Sequence, residues 1–246
     1  MAPRPLASFL IIGVQKGGTT ALHHYLSQDP AIALATVKET HFFDDERQDW
    51  ARPDYDAYHA LFPDPAGRPC GEATPIYSYW PGCLMRIAAY NPAMRLVLLL
   101  RDPVERAWSH WRMEFARGAE TQPFAWCVRE GRKRLHEPGA NGSHRVYSYV
   151  ERGFYADQLE RIHQLFPRDQ LLVLRSDDLK LRPGPTLSQV RAFIGAPPGA
   201  EPTARLVHVG RRFEGGLTQS DIDHLRAIYA EDDRRLAALA GFSFGR

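Results

Sequence analysis

Glycine, lysine and threonine stand together in GVQKGGTT, residues 13–20, at the spacing of a cradle for an anion. Gly13, Gly18 and Thr20 follow the phosphate-loop pattern G-x-x-x-x-G-K-[ST], but Thr19 occupies the lysine position and the lysine of the stretch is Lys16. Backbone N–H groups entering a helix point at a bound anion, and the helix dipole adds partial positive charge there. Gly17 and Gly18 relieve crowding at such a bend, while Thr19 and Thr20 add hydroxyl donors. In ordinary nucleoside-triphosphate enzymes an aspartate ending a neighbouring apolar strand helps hold magnesium. Here the run VLLL ends in Arg101, and Asp102 comes after it. A cation therefore stands where a metal ligand belongs, and the pattern predicts a ligand whose transferred group needs no Mg²⁺.

A cradle of this kind needs a strand before it and a helix after it. SFLIIGV reads as a central parallel strand buried on both faces, and TTALHHYLSQ as the following helix, capped by Thr19 or Thr20 and stopped at Asp29-Pro30. AIALAT predicts a short strand, KETHFFDDE a strand end or loop, DYDAYHALF a helix and GEATPIYSYWP a short extended piece. MRLVLLL is a second core strand, followed by a helix with Asp102 as cap and Pro103 in its first turn, running towards Gly118. EPGANGSHRVYSY reads as a loop, and YSYVERGFYADQLERIHQLF as one long helix with Gly153 as its weak point. QLLVLRSDDL is a third core strand with an acidic turn, TLSQVRAFIGAPP a helix ended by Gly195, and TQSDIDHLRAIYAEDDRRLAALAG an amphipathic helix preceded by the basic, glycine-rich HVGRRFEGG.

Strands alternating with helices predict an α/β, three-layer P-loop-like fold with a central parallel sheet flanked by helices. Ligands of such folds bind at the carboxyl ends of the strands. The segments Gly13–Thr20, Arg101-Asp102 and Arg175-Ser176 all fall at such ends, so they are expected to converge on one site.

The 246 residues suit one domain over 1–246 with a well-buried core. Lys and Arg number 31 against 29 Asp and Glu, a balance that speaks against a nucleic-acid coat or a membrane-attracting surface. Cys70, Cys83 and Cys127 form no C-x-x-C pair and fit reduced thiols of a cytoplasmic protein. No apolar run approaches the roughly 20 residues of a membrane crossing, so no membrane insertion is expected.

Sulfuryl transfer answers to these features, because a migrating SO₃ group bears less charge than a phosphoryl group and a lysine with backbone donors can stabilise the departing oxygen without a metal. At this point a resemblance becomes specific. The sequence resembles the 3′-phosphoadenosine-5′-phosphosulfate (PAPS)-dependent sulfotransferases, in the branch of heparan sulfate sulfotransferases and many bacterial enzymes. IIGVQKGGTTAL is similar to their 5′-phosphosulfate loop, LLLRDPVERAWSHW to their 3′-phosphate segment, KETHFFD to their catalytic segment and LVHVGRRF to their late cofactor loop.

The resemblance implies that Lys16 contacts the oxygen bridging phosphate and sulfate, and that Gly17, Gly18, Thr19 and Thr20 cradle the 5′-phosphate. It implies 3′-phosphate binding by Arg101 and Ser109, and closure over the nucleotide by Gly210 and Arg211, with Arg212 a weaker candidate. Glu39 matches the catalytic base at KE-x-HFF, since an acceptor hydroxyl must lose its proton as the new O–S bond forms. His41, two residues on, either orients the acceptor or shares the proton. The implied products are the sulfated small-molecule or carbohydrate acceptor and adenosine 3′,5′-bisphosphate (PAP), with no metal required. Two departures, Ala73 and Val209, stand where heparan sulfate enzymes often carry lysine, and they point away from a heparan sulfate acceptor.

Two other function classes compete: a Mg²⁺-dependent nucleotide or small-molecule kinase, disfavoured by Thr19, and a non-catalytic nucleotide-binding module, disfavoured by Lys16, Glu39 and His41. Tyr77, Tyr79 and Trp80 either line an acceptor cleft or pack beneath a loop, and Trp108 and Trp111 at helical spacing read as core.

Overall fold

The structure, a computed structural model, describes residues 6–139, 141–199 and 216–245. In chain order its elements are β1 (Phe9–Gly13), α1 (Thr19–Ser27), β2 (Ala33–Leu34), α2 (Tyr55–His59), β3 (Cys70–Ala73), α3 (Cys83–Tyr90), β4 (Arg95–Leu100), α4 (Pro103–Ala116), α5 (Phe124–Cys127), α6 (Asn141–Tyr147), α7 (Tyr155–His163), β5 (Leu171–Arg175), α8 (Ser176–Leu181), α9 (Pro183–Ile194) and α10 (Gln219–Ala240). Contacts divide the chain into two compact units, Met1–Leu100 with Glu160–His208 and Arg101–Leu159 with Val209–Arg246.

The first unit holds a five-stranded sheet in the order β2-β3-β1-β4-β5, parallel throughout. β1 is apolar up to its final glycine and wholly buried, as a strand needs to be when it has neighbours on both edges and cover on both faces. Phe9 lies opposite both Gly71 of β3 and Arg95 of β4, while β4 and β5 run in register from Leu96 and Leu171 to Leu100 and Arg175. Phe9, Ile11, Val97 and Leu99 pack against Leu22 and Leu26 of α1 and Leu187, Val190 and Ile194 of α9. Leu10, Ile12, Leu96, Leu98 and Leu100 alternate to the opposite face and are equally inaccessible, so helices cover the sheet on both sides. The expected α/β three-layer architecture is the one observed, with five strands where the sequence marks three strong ones.

The second unit packs Val104, Ala107 and Trp111 of α4 with Phe124, Cys127, Tyr149, Leu225 and Tyr229. Asp102 caps α4 by accepting from the Val104 and Glu105 N–H groups at 2.9 and 3.1 Å, and Pro103 sits in the first turn. Trp108 and Trp111 stack with ring centroids 4.9 Å apart, consistent with their reading as core. The cysteines are all free and buried.

Three elements differ from the sequence expectation. The segment read as a loop, EPGANGSHRVYSY, contains the helix α6, and helix α8 starts at Ser176 where an acidic turn was expected. The single long helix expected over YSYVERGFYADQLERIHQLF is broken into a 3₁₀ turn, Glu151–Gly153, and the shorter α7. The physical cause lies in α10. A side chain at Gly153 would collide with the Tyr229 phenol, and the buried Asp232 accepts from the Tyr155 and Ala156 N–H groups at 2.7 and 3.1 Å. A carboxylate there satisfies donors that a new helix start leaves open, so the chain begins α7 afresh.

Glu72 is among the carboxyls that sit deep in the first unit. Glu72 on β3 is 1 % exposed and faces Tyr58 of α2 and Tyr77, and burial pushes it from 4.5 up to about 7, against the opposing pull of the Thr74 hydrogen bond and the nearby hydroxyls of Tyr77 and Thr40. The native state therefore keeps this proton over a range in which the unfolded chain has lost it, and stability falls as pH rises from about 4.5 to about 7. Glu72→Gln removes the titration. Across that window the variant should gain on the wild type by on the order of 3 kcal/mol in urea unfolding. A difference between the two proteins that does not change with pH would contradict an ionisable, buried Glu72.

Candidate active site

The loop after β1 crosses close to the end of β4. The Val14 N–H donates to the Leu99 carbonyl at 2.9 Å, and the Gly17 N–H donates to the Val14 carbonyl at 2.8 Å. A Cβ on Gly17 would stand 2.5 Å from the Leu99 oxygen, and one on Gly18 would stand 3.3 Å from Ser176 Oγ at the end of β5. Glycine is required at 17 by this approach and favoured at 18 by a φ of 98°. Gly18, and neither Thr19 nor Thr20, is the N-cap of α1, and no side chain caps the helix. The reason is the left-handed turn at Gly18, which makes both threonines the first residues of the helix itself. The opening N–H groups of α1 lack intrahelical partners and remain available to an anion. Lys16 lies in the same loop at φ 69°.

The second cluster is the turn after β2. Glu39 donates its N–H to the Ala73 carbonyl at 3.1 Å, so the turn is tied to the end of β3. Glu39 pairs with Lys38, and its Oε2 lies 3.7 Å from His41 Nε2. The other ring nitrogen, His41 Nδ1, lies 3.0 Å from Oδ1 of Asp44, a carboxylate only 1 % exposed. Asp44 thereby holds one edge of the imidazole and turns Nε2 towards Glu39. His23 of α1 joins this neighbourhood: burial first, then the charges of Lys38 and His24, lower its pKa, while Glu39 raises it. A groove of about 560 Å³ opens beside His41, lined among others by Thr40, Phe42, Arg47, Asp54 and Tyr58.

Among the described residues, four non-glycines have φ between 48° and 69°: Lys16, Glu39, His41 and Ala66. Three of the four are the residues the sequence marks for chemistry. A left-handed backbone at a non-glycine residue is strained and persists where surrounding structure over-determines it, which is common at active sites.

The structure thus gathers Lys16, Gly17, Gly18, Thr19 and Thr20 in one loop and Glu39 with His41 in one turn, both in the first unit. Arg101 and Ser109 belong to the second unit. There Arg101 donates to Glu105 Oε2 through Nε and a terminal nitrogen at 3.2 and 2.9 Å, and Ser109 is half-buried on α4. Gly210, Arg211 and Arg212 lie outside the described residues. Sequence reasoning missed Asp44 and Lys38. Asp44 was within reach as the acid three residues beyond His41, and only folding shows that it is the one of the pair Asp44-Asp45 that points at the ring. Tyr77 and Trp80 are buried, so of the two readings for these aromatics packing holds: Trp80 donates to Glu46 Oε1 at 2.7 Å. No described helix is long and apolar enough to cross a membrane.

Comparison with known proteins points the same way. Residues 6–209 match the family model described as "Sulfotransferase domain". Human heparan sulfate glucosamine 3-O-sulfotransferase 5 is 30% identical over 193 residues, covering 78% of this chain and 54% of that protein. Bovine bifunctional heparan sulfate N-deacetylase/N-sulfotransferase 2 is 29% identical over 200 residues, covering 78% of this chain and 22% of that protein. The chain thus spans about half, or less, of the length of these relatives. The crystal structure of a sulfotransferase from Alicyclobacillus acidocaldarius superposes with a TM-score of 0.81 at 28% identity, covering 96% of each chain. The glycine cradle and the strained acid–imidazole turn are therefore features of a chain that belongs to the sulfotransferase domain family.

Proposed function

We propose that this protein transfers a sulfuryl group from PAPS to a hydroxyl of a carbohydrate or small-molecule acceptor, with Glu39 as the general base and PAP as the second product. The observation that carries the reading is the line Asp44, His41, Glu39 on a strained turn in the same unit as an uncapped glycine cradle with its own lysine. The residues of that cradle fit a phosphosulfate: two glycines let the backbone approach the anion, and the helix start supplies unpaired donors. PAPS supplies an activated sulfuryl group on a phosphate leaving group.

The chain's own contribution follows from charge and reach. Lys16 holds positive charge against the bridging oxygen, where negative charge grows. Thr19 and Thr20, with the backbone of Gly17 and Gly18, hold the 5′-phosphate, and Arg101 and Ser109 carry the 3′-phosphate role that the resemblance implies. Glu39 takes the acceptor proton, while His41, oriented by Asp44, positions the acceptor beside it. Lys38 pairs with Glu39 and sets a cation beside the base. The groove beside His41 sets the Asp45 and Asp54 carboxylates against the Arg47 guanidinium, a balance better matched to a neutral, hydroxyl-bearing acceptor than to a polyanion.

Calorimetric titration distinguishes this reading from a kinase. PAP should bind at least about tenfold more tightly than ATP with Mg²⁺, a difference of about 1.4 kcal/mol; the reverse preference would overturn the donor assignment. For the base, Glu39→Gln should leave PAP affinity within about twofold while lowering kcat by about 10²–10⁴-fold with labelled PAPS and an accepted acceptor. Wild-type turnover in that variant would take the base role away from Glu39.

A further inference from the structure

The turn bearing Glu39 and His41 is strained on both sides of Thr40, with φ 62° before it and 53° after it. Each such residue costs about 1–3 kcal/mol relative to relaxed backbone, so the surroundings must hold the turn in place. One anchor is main-chain, the Glu39 N–H on the Ala73 carbonyl. The others converge on a single phenol. The Tyr77 hydroxyl lies 3.1 Å from Thr40 Oγ1 and accepts from the Phe43 N–H at 3.3 Å, while Thr40 Oγ1 accepts from the Phe42 N–H at 3.4 Å. Beneath it, Glu72 takes the Thr74 hydroxyl on Oε2 at 2.7 Å, and its Oε1 is buried without a hydrogen-bond partner.

These polar side chains follow one another from the floor of the sheet to the turn. Glu72, Thr74 and Tyr77 are each no more than 1 % exposed, and Thr40 is the outermost of the group. Apolar side chains of the same volume would fill the space without the desolvation that a buried carboxyl and phenol require. What apolar side chains lack is direction. A hydroxyl network admits few geometries, and this one ends on Thr40 and on the main chain of Phe42 and Phe43, directly beside the residues that meet the acceptor. The groups facing Glu72 are Tyr58 from α2, Tyr77 and Thr74 from the segment after β3, and Thr40 and His41 from the turn.

We propose that Thr40 and Tyr77 are positioning residues for sulfuryl transfer: the hydrogen bonds between their hydroxyls and from the Phe42 and Phe43 N–H groups hold the strained turn and so aim Glu39 and His41, setting the transfer rate without setting donor affinity. The inference rests on the function proposed above, and it assigns the buried network a purpose that packing alone leaves unexplained.

The test uses the full chain with Thr40→Val and Tyr77→Phe, which keep side-chain shape and remove one hydroxyl each, and Thr40→Ser, which keeps the hydroxyl. Turnover of labelled PAPS, KM for PAPS, PAP affinity by calorimetry and thermal unfolding are measured on each. Thr40→Val and Tyr77→Phe should lower kcat by about 10- to 100-fold, with KM for PAPS and PAP affinity within about twofold, while Thr40→Ser stays within about threefold of wild type. Wild-type kcat in both hydroxyl-deleted variants overturns the inference, as does a loss of kcat matched by an equal loss of PAP affinity or by unfolding at the assay temperature. A wild-type protein that consumes no PAPS overturns the parent function and this inference with it, and is told apart from the first two outcomes by the wild-type control.

Discussion

The backbone of the loop after β1 passes so close to the end of β4 that no side chain fits at Gly17, and most of the site's geometry depends on that crossing. The Leu99 carbonyl, which a strand end would otherwise present to solvent, accepts from Val14, and the loop folds back on Val14 through the Gly17 N–H. The turn at Gly18 then launches α1 with its first N–H groups uncapped. A bulkier residue at 17 would push the loop off β4, and Lys16 and the start of α1 would move with it. Helix α1 in turn packs Leu22 and Leu26 into the core beside Ile11 and Leu99, so the cradle is braced from below by apolar burial.

Strain is the second theme. Lys16, Glu39 and His41 adopt a backbone that their side chains disfavour, and the fold tolerates this because each sits between rigid elements: Lys16 between β1 and α1, Glu39 and His41 beside the end of β3. Loops joined to a parallel sheet at its carboxyl edge are short of slack, so a local twist there can be held by hydrogen bonds a few residues away. Asp44 serves the same end at side-chain level. Nearly inaccessible and bonded to His41, it removes the rotational freedom of an imidazole that is otherwise about half exposed.

The second unit shows the same economy of polar groups at helix ends. Asp102 caps α4 while its other oxygen receives Arg226 of α10, and Asp232 of α10 caps the start of α7. Through these two carboxylates α10 bonds to both helix starts, at points more than seventy residues away in the chain. The Arg101 carbonyl accepts from Tyr155 of α7 at 2.7 Å, so the residue implied in 3′-phosphate binding is anchored through its main chain while Glu105 engages its side chain.

Local chemistry made much of this legible before folding. The glycines of the cradle, the apolar runs of β1, β4 and β5 and the Asp-Pro start of α4 each declare themselves through short-range sterics and hydrogen bonding, which act within a few residues and leave their mark in sequence order. Other features were decided across the chain. Gly153 leaves room for the Tyr229 phenol while Asp232 caps the helix start after it, Asp44 differs from Asp45 only because one is turned to His41 and buried, and Thr40 is unremarkable until Tyr77 lies beneath it. Those roles arise from contacts between residues far apart in number, which packing alone brings together.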